Sequence, residues 1–335
     1  MKVSQIGEFG LIDLLSKITD RGRDKRLDSW QRLIVGIGDD AAAWQGDASV
    51  QLATVDSLVQ DIHFSLATTS WEDLGWKAMA VNLSDIAAMG GDPRYALVSL
   101  ALPADTEVDD ATALYRGMVA LAQPNGVALV GGDVCRAPLV IITITVLGEA
   151  ASKGVLLTRA AARPGDWIAV TGCLGGAAAG LEMLTQSIEY DAGTTGLLRE
   201  AFLRPCPKLI EGQKLAGQGV RTAIDISDGL LADLAHICQQ SRVGARIETE
   251  RVPVHPAIKD ILGDRAMEMA LSGGEDYELL FTASDEVIRQ VKQALTCPVS
   301  VIGEIIADNV GKVMVINAEG NIISPAKRGW EHFLP

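Results

Sequence analysis

Carboxylates recur in this sequence where apolar runs begin or end. They stand in Gly38-Asp39-Asp40, Val55-Asp56-Ser57, Asn82-Leu83-Ser84-Asp85, Gly131-Gly132-Asp133, Asp225-Ile226-Ser227-Asp228 and Gly273-Gly274-Glu275-Asp276-Tyr277-Glu278. Singly, each has a plain structural use, because Gly-Asp pairs form turns and Asp caps helices. Asp85 resists that use. It follows Asn82 by three residues, so both point the same way from a helix that is apolar on nearly every side. A carboxylate there is costly to bury unless it is paired or holds a metal. The nearest cation in the run, Lys77, lies two turns back on another face.

Asp225 and Asp228 bracket a strand-to-helix turn. A helix start attracts anions, whereas two carboxylates repel them, and a divalent cation between the two resolves the conflict. Mg²⁺ takes oxygen ligands and needs only one or two carboxylates beside substrate phosphates. Zinc calls for grouped His or Cys. Here His63, His236, His255 and His332 are scattered, and the five cysteines never form C-x-x-C. Magnesium is the better match. The turn Gly172-Cys173-Leu174-Gly175-Gly176 suits either phosphate contact or close packing. It is neither G-x-G-x-x-G nor G-x-x-x-x-G-K-[ST], so dinucleotide-fold and P-loop readings lose their main support.

The elements that must position these groups follow from periodicity. Helices are predicted over 7–18, 70–89, 107–123, a segment ending near 186, 207–217, 229–241 and 284–295. Ser70 with Asp73 fits a capping box for the second, and Gly90-Gly91 ends it. Strands are predicted over 33–37, 50–55, 95–102, 126–130, 139–148, 167–170, 222–226, 244–248, 278–282 and 299–305. Residues 20–32 read as a charged, mobile loop. Strands and helices mix without strict alternation, which favours two α/β or α+β domains over one doubly wound sheet. The boundary falls within 150–165, giving domains over 1–150 and 151–335.

A length of 335 residues fits two domains, and 48% apolar with 21% charged residues excludes wholesale disorder. The net charge of −14 argues against a nucleic-acid partner bound by phosphate neutralisation. The longest strongly apolar run, Leu139 to Leu147, is too short to cross a bilayer, and the N-terminus lacks a signal-peptide core. A cytoplasmic location, away from membranes, is therefore expected, and the cysteine pattern suits a reducing compartment.

Taken in order, the segments resemble the thiamine-monophosphate kinases, in the superfamily that contains aminoimidazole ribonucleotide synthetase and selenophosphate synthetase. The resemblance is carried by GEFGLI at 7–12, GIGDDAA at 36–42, HF at 63–64, KAMAVNLSDIAAMGGDP at 77–93 and GGD at 131–133. It continues through LTR at 157–159, PGDWIAVTG at 164–172, AIDISDGL at 223–230, LSGGEDYEL at 271–279 and GW at 329–330. It implies ATP-dependent phosphorylation of thiamine monophosphate to thiamine diphosphate, with several Mg²⁺ ions. It also implies a two-domain α/β (α+β) fold like that of aminoimidazole ribonucleotide synthetase, ATP bound between the domains, and a homodimer formed by the N-terminal domains around a C-terminal mixed-sheet domain in each chain. Residue by residue, it places Asp40, Asp56, Asp85, Asp133, Asp225 and Asp228 at magnesium positions. Gly132, Asp133, Arg159 and Ser227 fall at nucleotide contacts, and His63, Glu275 and Trp330 at substrate contacts. One departure stands out. Where the family often has Ser-Thr-Asp, this chain has Thr54-Val55-Asp56, so the oxygen at position 55 is missing and Thr54, a backbone carbonyl or water must supply it.

The chemistry asks for such a set. The acceptor would be a phosphate oxygen already mostly ionised at neutral pH, so no general base or covalent nucleophile is expected. Rival readings are another ATP-dependent synthetase of the superfamily, a hydrogenase-maturation relative, a non-catalytic thiamine-phosphate or nucleotide binder, and an NAD-dependent oxidoreductase. The first selenium-enzyme cysteine and the C-terminal cysteine that two of these require are lacking, since Cys135 comes first and the chain ends HFLP.

Overall fold

The computed structural model describes residues 3–35, 43–44, 50–150, 156–324 and 329–330. Asp39 and Asp40 lie outside them. The chain divides into two compact units, Met1–Ile86 with Asp92–Ser152, and Ala87–Gly91 with Lys153–Pro335.

The first unit runs α1 (Val3–Arg21), α2 (Asp28–Arg32), β1 (Leu33–Val35), β2 (Ala43–Trp44), β3 (Val50–Val59), α3 (Trp71–Ala88), β4 (Asp92–Leu102), α4 (Val108–Ala122), β5 (Ala128–Arg136) and β6 (Ile141–Ala150). Four of its strands form a sheet in the order β3-β6-β4-β5, antiparallel except for β4 and β5. Strand alternation sends Leu52, Thr54, Asp56 and Leu58 to the covered face of β3 and leaves Ala53, Val55 and Ser57 outside. The covered face continues through Ile142, Ile144 and Val146, each at most 1% exposed. α3 begins as its capping residues predict. Ser70 Oγ accepts from Asp73 N at 3.1 Å and donates to Asp73 Oδ2 at 2.7 Å.

The expected loop over 20–32 is instead partly helical, in α2 and the end of α1. Trp30 explains the difference. It is 8% exposed, packs with Tyr95, Ala128 and Val130, and carries the Arg23 guanidinium 5.1 Å from its ring centre. Ser29 Oγ adds a bond to Gly126 O at 2.8 Å. The strands also run longer than their acids suggested, so Asp56 and Asp133 sit within β3 and β5 rather than in turns.

The second unit runs β7 (Trp167–Thr171), α5 (Gly176–Gln186), α6 (Ala192–Leu203), α7 (Leu209–Gly217), β8 (Thr222–Asp225), α8 (Leu230–Ser241), β9 (Gly244–Glu248), α9 (Pro256–Leu262), α10 (Arg265–Ser272), β10 (Leu279–Ala283), α11 (Asp285–Ala294), β11 (Val299–Ile306), β12 (Val313–Ile316) and β13 (Ile322–Ile323). Its mixed seven-stranded sheet has the order β13-β12-β9-β11-β7-β10-β8. Both faces of its centre are covered. Ile168, Val170, Ile224 and Leu280 join the core with residues of α5, α8 and α10, while Ala169, Ala223, Leu279 and Phe281 point the other way and are equally buried. α6 was not expected, because Gly193, Thr194, Thr195 and Gly196 are poor helix formers. Asp191 overrides them by accepting from Gly193 N and Thr194 N, and Leu198, Phe202 and Leu203 bury the opposite side. Among the described residues no helix is long and apolar enough to cross a membrane.

Replacing Ser70 by Ala should lower unfolding stability by about 1 kcal/mol, and Ser70→Gly by only a few tenths. Denaturant titration of both variants tests the cap, and equal, negligible losses would dismiss it.

Candidate active site

In the first unit, Asn82 and Asp85 face β3 together. Thr54 Oγ1 donates to Asp85 Oδ2 at 2.5 Å, and Asp56 N donates to Asn82 Oδ1 at 3.1 Å. Asn82, fully buried, also donates from Nδ2 to Ala78 O at 3.1 Å. It acts as a strut between helix and strand, and the carboxylates of Asp56 and Asp85 remain on the shared face. Among the described residues no Lys or Arg pairs with Asp85, Lys77 included. A carboxylate on an apolar helix with one hydroxyl for company is a fit for a hard divalent ion, and all three donors here are oxygens. Val55 is 59% exposed on the opposite face of β3. The hydroxyl of this strand that meets an acid is therefore that of Thr54.

Just past β3 the chain turns through His63. Its Nδ1 accepts from Val59 N at 3.0 Å, so in the neutral ring the proton sits on Nε2. Gly132 and Asp133 are exposed on β5. Register pairs Asp133 with Ser99, Ser99 with Thr143, and Thr143 with Ser57, which puts Asp133 on the outer face. It lies at the sheet edge opposite β3, three strand spacings or about 14 Å away. One copy of the sheet thus brings Thr54, Asp56 and Asp85 together and leaves Asp133 apart.

In the second unit, the turn from Ile226 to Gly229 is a hub. Glu275 N donates to Ser227 O at 2.8 Å, Tyr277 N to Ile226 O at 2.9 Å, and Trp330 N to Asp228 O at 2.9 Å. Three segments distant in sequence meet there through backbone bonds. Glu275 and Tyr277 hold left-handed conformations, φ 68° and 48°, which non-glycine residues rarely adopt. Gly274 permits the approach, since a Cβ there would lie 2.5 Å from Ser227 O. Trp330 is 57% exposed, so it does not serve the core. Arg159 is exposed and follows the bridge Thr158–Thr222, at the end of β8 remote from Asp225 by about 10 Å.

Beneath the hub lies Asp233, which sequence reasoning missed. It is 2% exposed, and its Oδ2 accepts from Ser227, Asp228 and Gly229 N at 3.1, 3.2 and 3.0 Å. Burial first, then the charges of Asp225 and Asp228, push its carboxyl up to about 8. The argument used for Asp85 finds it too, since it is the one acid in the apolar start of α8. Asp225, itself only 3% exposed, and Asp228 stand at the two ends of the turn that Asp233 holds.

The glycine-rich turn is closed from inside. Asp276 accepts from Gly175 N at 2.7 Å and Ala177 N at 3.1 Å, and Glu278 accepts from Thr171 Oγ1 at 2.6 Å while pairing with Lys208 at 3.0 Å. A Cβ on Gly172 would lie 2.1 Å from Glu278 Oε1. Of the two roles left open for this turn, close packing is the one these contacts support.

Two family models cover the chain: AIR synthase related protein, N-terminal domain, over residues 38–150, and AIR synthase related protein, C-terminal domain, over 163–316. Thiamine-monophosphate kinase of Bacillus subtilis is 39% identical over 309 residues, 89% of this chain and 93% of that one. This chain belongs to the thiamine-monophosphate kinase family. Among solved structures, the thiamine-monophosphate kinase of Stenotrophomonas maltophilia superposes with a TM-score of 0.81 at 37% identity, over 95% of this chain and 98% of that one. AaThiL complexed with AMPPCP and TMP gives 0.76 at 32% identity, over 99% of both. The fold described here is thus shared with solved thiamine-monophosphate kinase structures.

Burial raises the Asp276 carboxyl from 3.8 to about 7, against the opposing pull of the Gly175 and Ala177 N–H groups. The folded state then binds this proton more tightly than the unfolded one, so the stability contributed by Asp276 falls as pH rises from about 4 to about 7. In metal-free protein, Asp276→Asn should remove that part of the slope and keep the part due to Asp233. Unfolding midpoints at pH 5 and 8 measure it; an unchanged slope would refute the assignment.

Proposed function

We propose that this chain transfers the γ-phosphoryl group of ATP to the phosphate of thiamine monophosphate, giving thiamine diphosphate and ADP. The observation that carries this reading, beside family membership, is the all-oxygen set Thr54, Asp56 and Asp85, gathered where β3 meets the apolar helix α3.

The obstacle in such a reaction is electrostatic. A phosphate dianion must approach a polyanion, and each unit pair repels by roughly 4 kcal/mol at about 4 Å and an effective dielectric near 20. Magnesium ions held there lower that repulsion and stabilise charge on the transferring group. Thr54, Asp56 and Asp85 in the first unit and Asp225 and Asp228 in the second would hold such ions, with Asp40 and Asp133 as the family's further positions. The acceptor oxygen is ionised near neutral pH, so no side chain need take its proton. Gly132, Asp133, Arg159 and Ser227 bind the nucleotide in this reading. His63 offers its Nε2 proton to substrate, Glu275 a carboxylate fixed by its backbone, and Trp330 an exposed indole for the aromatic ring. We further propose that the N-terminal unit, residues 1–150, pairs with a second copy, and that residues 151–335 complete the nucleotide and substrate sites in a cytoplasmic enzyme.

Position of Asp133 supports the pairing. In one copy Asp133 lies on the outer face about 14 Å from β3, whereas Asp56 is on the covered face, so a cluster that includes both is easier to build from two copies than from one.

Incubation with ATP, Mg²⁺ and thiamine monophosphate should yield the diphosphate, and its absence would overturn the proposal. Asp85→Asn should cut turnover at least a hundredfold, about 3 kcal/mol of transition-state stabilisation. Mixing inactive Asp56→Asn and Asp133→Asn proteins under exchange should recover about a quarter of the wild-type rate if each site draws on two copies. No recovery would mean that each chain supplies both acids to its own site.

A further inference from the structure

We propose that Gly212 on α7 is a positioning residue for the oxygen set on β3 and α3: its bare Cα seats the last turn of α3, and that turn sets where the Asp85 carboxylate stands. α3 passes from one unit to the other after Ile86, so its end, Ala87–Gly91, belongs with α7 to the second unit. This deepens the reading of Asp85 as a metal ligand and rests on it.

The end of α3 is gripped through its backbone. A Cβ on Gly212 would lie 2.0 Å from Ala87 O and 2.9 Å from the carbonyl carbon. Neither atom can swing aside, because both are helix backbone, so one helix or the other must yield by about 1 Å to reach the 3.0 Å that real contacts keep. Two further bonds close on the same stretch. Gln213 Nε2 donates to Gly91 O at 3.1 Å, and Leu157 N donates to Met89 O at 3.2 Å. Gly90 turns the chain at φ 69°, and a Cβ there would lie 3.0 Å from that of Ala216.

Glycine inside a helix weakens it. α7 has two, and the contacts tell them apart: Gly217 meets nothing within 4 Å, whereas Gly212 is needed for the close crossing. Asp85 stands two residues before Ala87, within one turn, so a displaced Ala87 carries Asp85 with it. Ile86, Ala87 and Ala88 are 1%, 0% and 7% exposed, which leaves little slack to absorb the shift. The ion registers such a shift by its own geometry. Mg²⁺ demands a near-ideal octahedron at about 2.0–2.1 Å, whereas Ca²⁺ accepts looser arrangements at about 2.3–2.6 Å. A misplaced Asp85 therefore costs Mg²⁺ affinity more than Ca²⁺ affinity.

The test uses the full-length protein titrated calorimetrically with Mg²⁺ or Ca²⁺ alone, without nucleotide or substrate. Gly212→Ala should bind Mg²⁺ about tenfold more weakly, with a smaller change for Ca²⁺, and Gly217→Ala should match the wild type. In an Asp85→Asn background, Gly212→Ala should have no further effect on Mg²⁺, because it acts through that carboxylate. Should Gly212→Ala fail to fold, Gln213→Met removes the bond to Gly91 O without adding bulk at the crossing, and the same pattern should appear with a loss of about threefold. Unchanged Mg²⁺ affinity, an equal loss for both ions, or a full loss on top of Asp85→Asn would overturn the proposal. Kinase assays on the same preparations separate the two readings. The expected Mg²⁺ loss in protein that makes no thiamine diphosphate keeps the positioning role and sinks the kinase, and turnover by Gly212→Ala at an unchanged Mg²⁺ requirement does the reverse.

Discussion

A carboxylate set against apolar surface must find a hydrogen bond, a cation or a proton, and that requirement organises both units. In the first, Asp85 stands on α3 among Ala78, Val81, Ile86 and Ala88, all nearly inaccessible to water. β3 answers it with a hydroxyl from Thr54, and Asn82 fixes the register by taking the Asp56 N–H. A slip of β3 by one residue would turn Val55 and Ser57 inward and carry Thr54 and Asp56 outside. The two hydrogen bonds to α3 therefore specify which face of the strand carries oxygen.

The second unit meets the same demand by giving its acids two kinds of work. Asp233, Asp276 and Glu278 turn inward. Asp233 spends one oxygen and Asp276 both on backbone N–H groups, and Glu278 binds Thr171 and Lys208, so they shape the turns at 226–229 and 172–177. Burial pushes all three carboxyls upward. Asp225 and Asp228 flank the first of these turns and add charge to it. The turn at 226–229 cannot move without breaking several N–H contacts at once.

Much of this was legible in the sequence, and the reasons differ by residue. Asp85 could be read because a helix repeats its environment every few residues, so an acid in an apolar run is conspicuous. The capping box at Ser70 was equally local. Asp233 was legible by the same rule and was overlooked because Asp225 and Asp228 already explained the segment's charge. Other features were out of reach. The order of Trp30 depends on Tyr95 and Val130 far along the chain, so 20–32 read as a mobile loop. Strand ends were misplaced because β3 and β5 gain ladder partners that extend pairing past their acids, and the separation of Asp133 from Asp56 follows from strand order, which periodicity does not encode.

The backbone character of the hub bears on how such a site tolerates change. Glu275 and Trp330 are tethered through their N–H groups, so substitution at either position leaves those bonds in place. What cannot vary freely is the chain path that delivers them. Gly274 must lack a Cβ, and Glu275 and Tyr277 must keep φ above zero, at a cost of order 1 kcal/mol each. That strain is held by Asp276 on one side, which anchors the segment to the start of α5, and by the bonds to Ser227 and Ile226 on the other. The side chains at 275 and 330 can thus change without altering the chain path, which the buried Asp276 and Gly274 set.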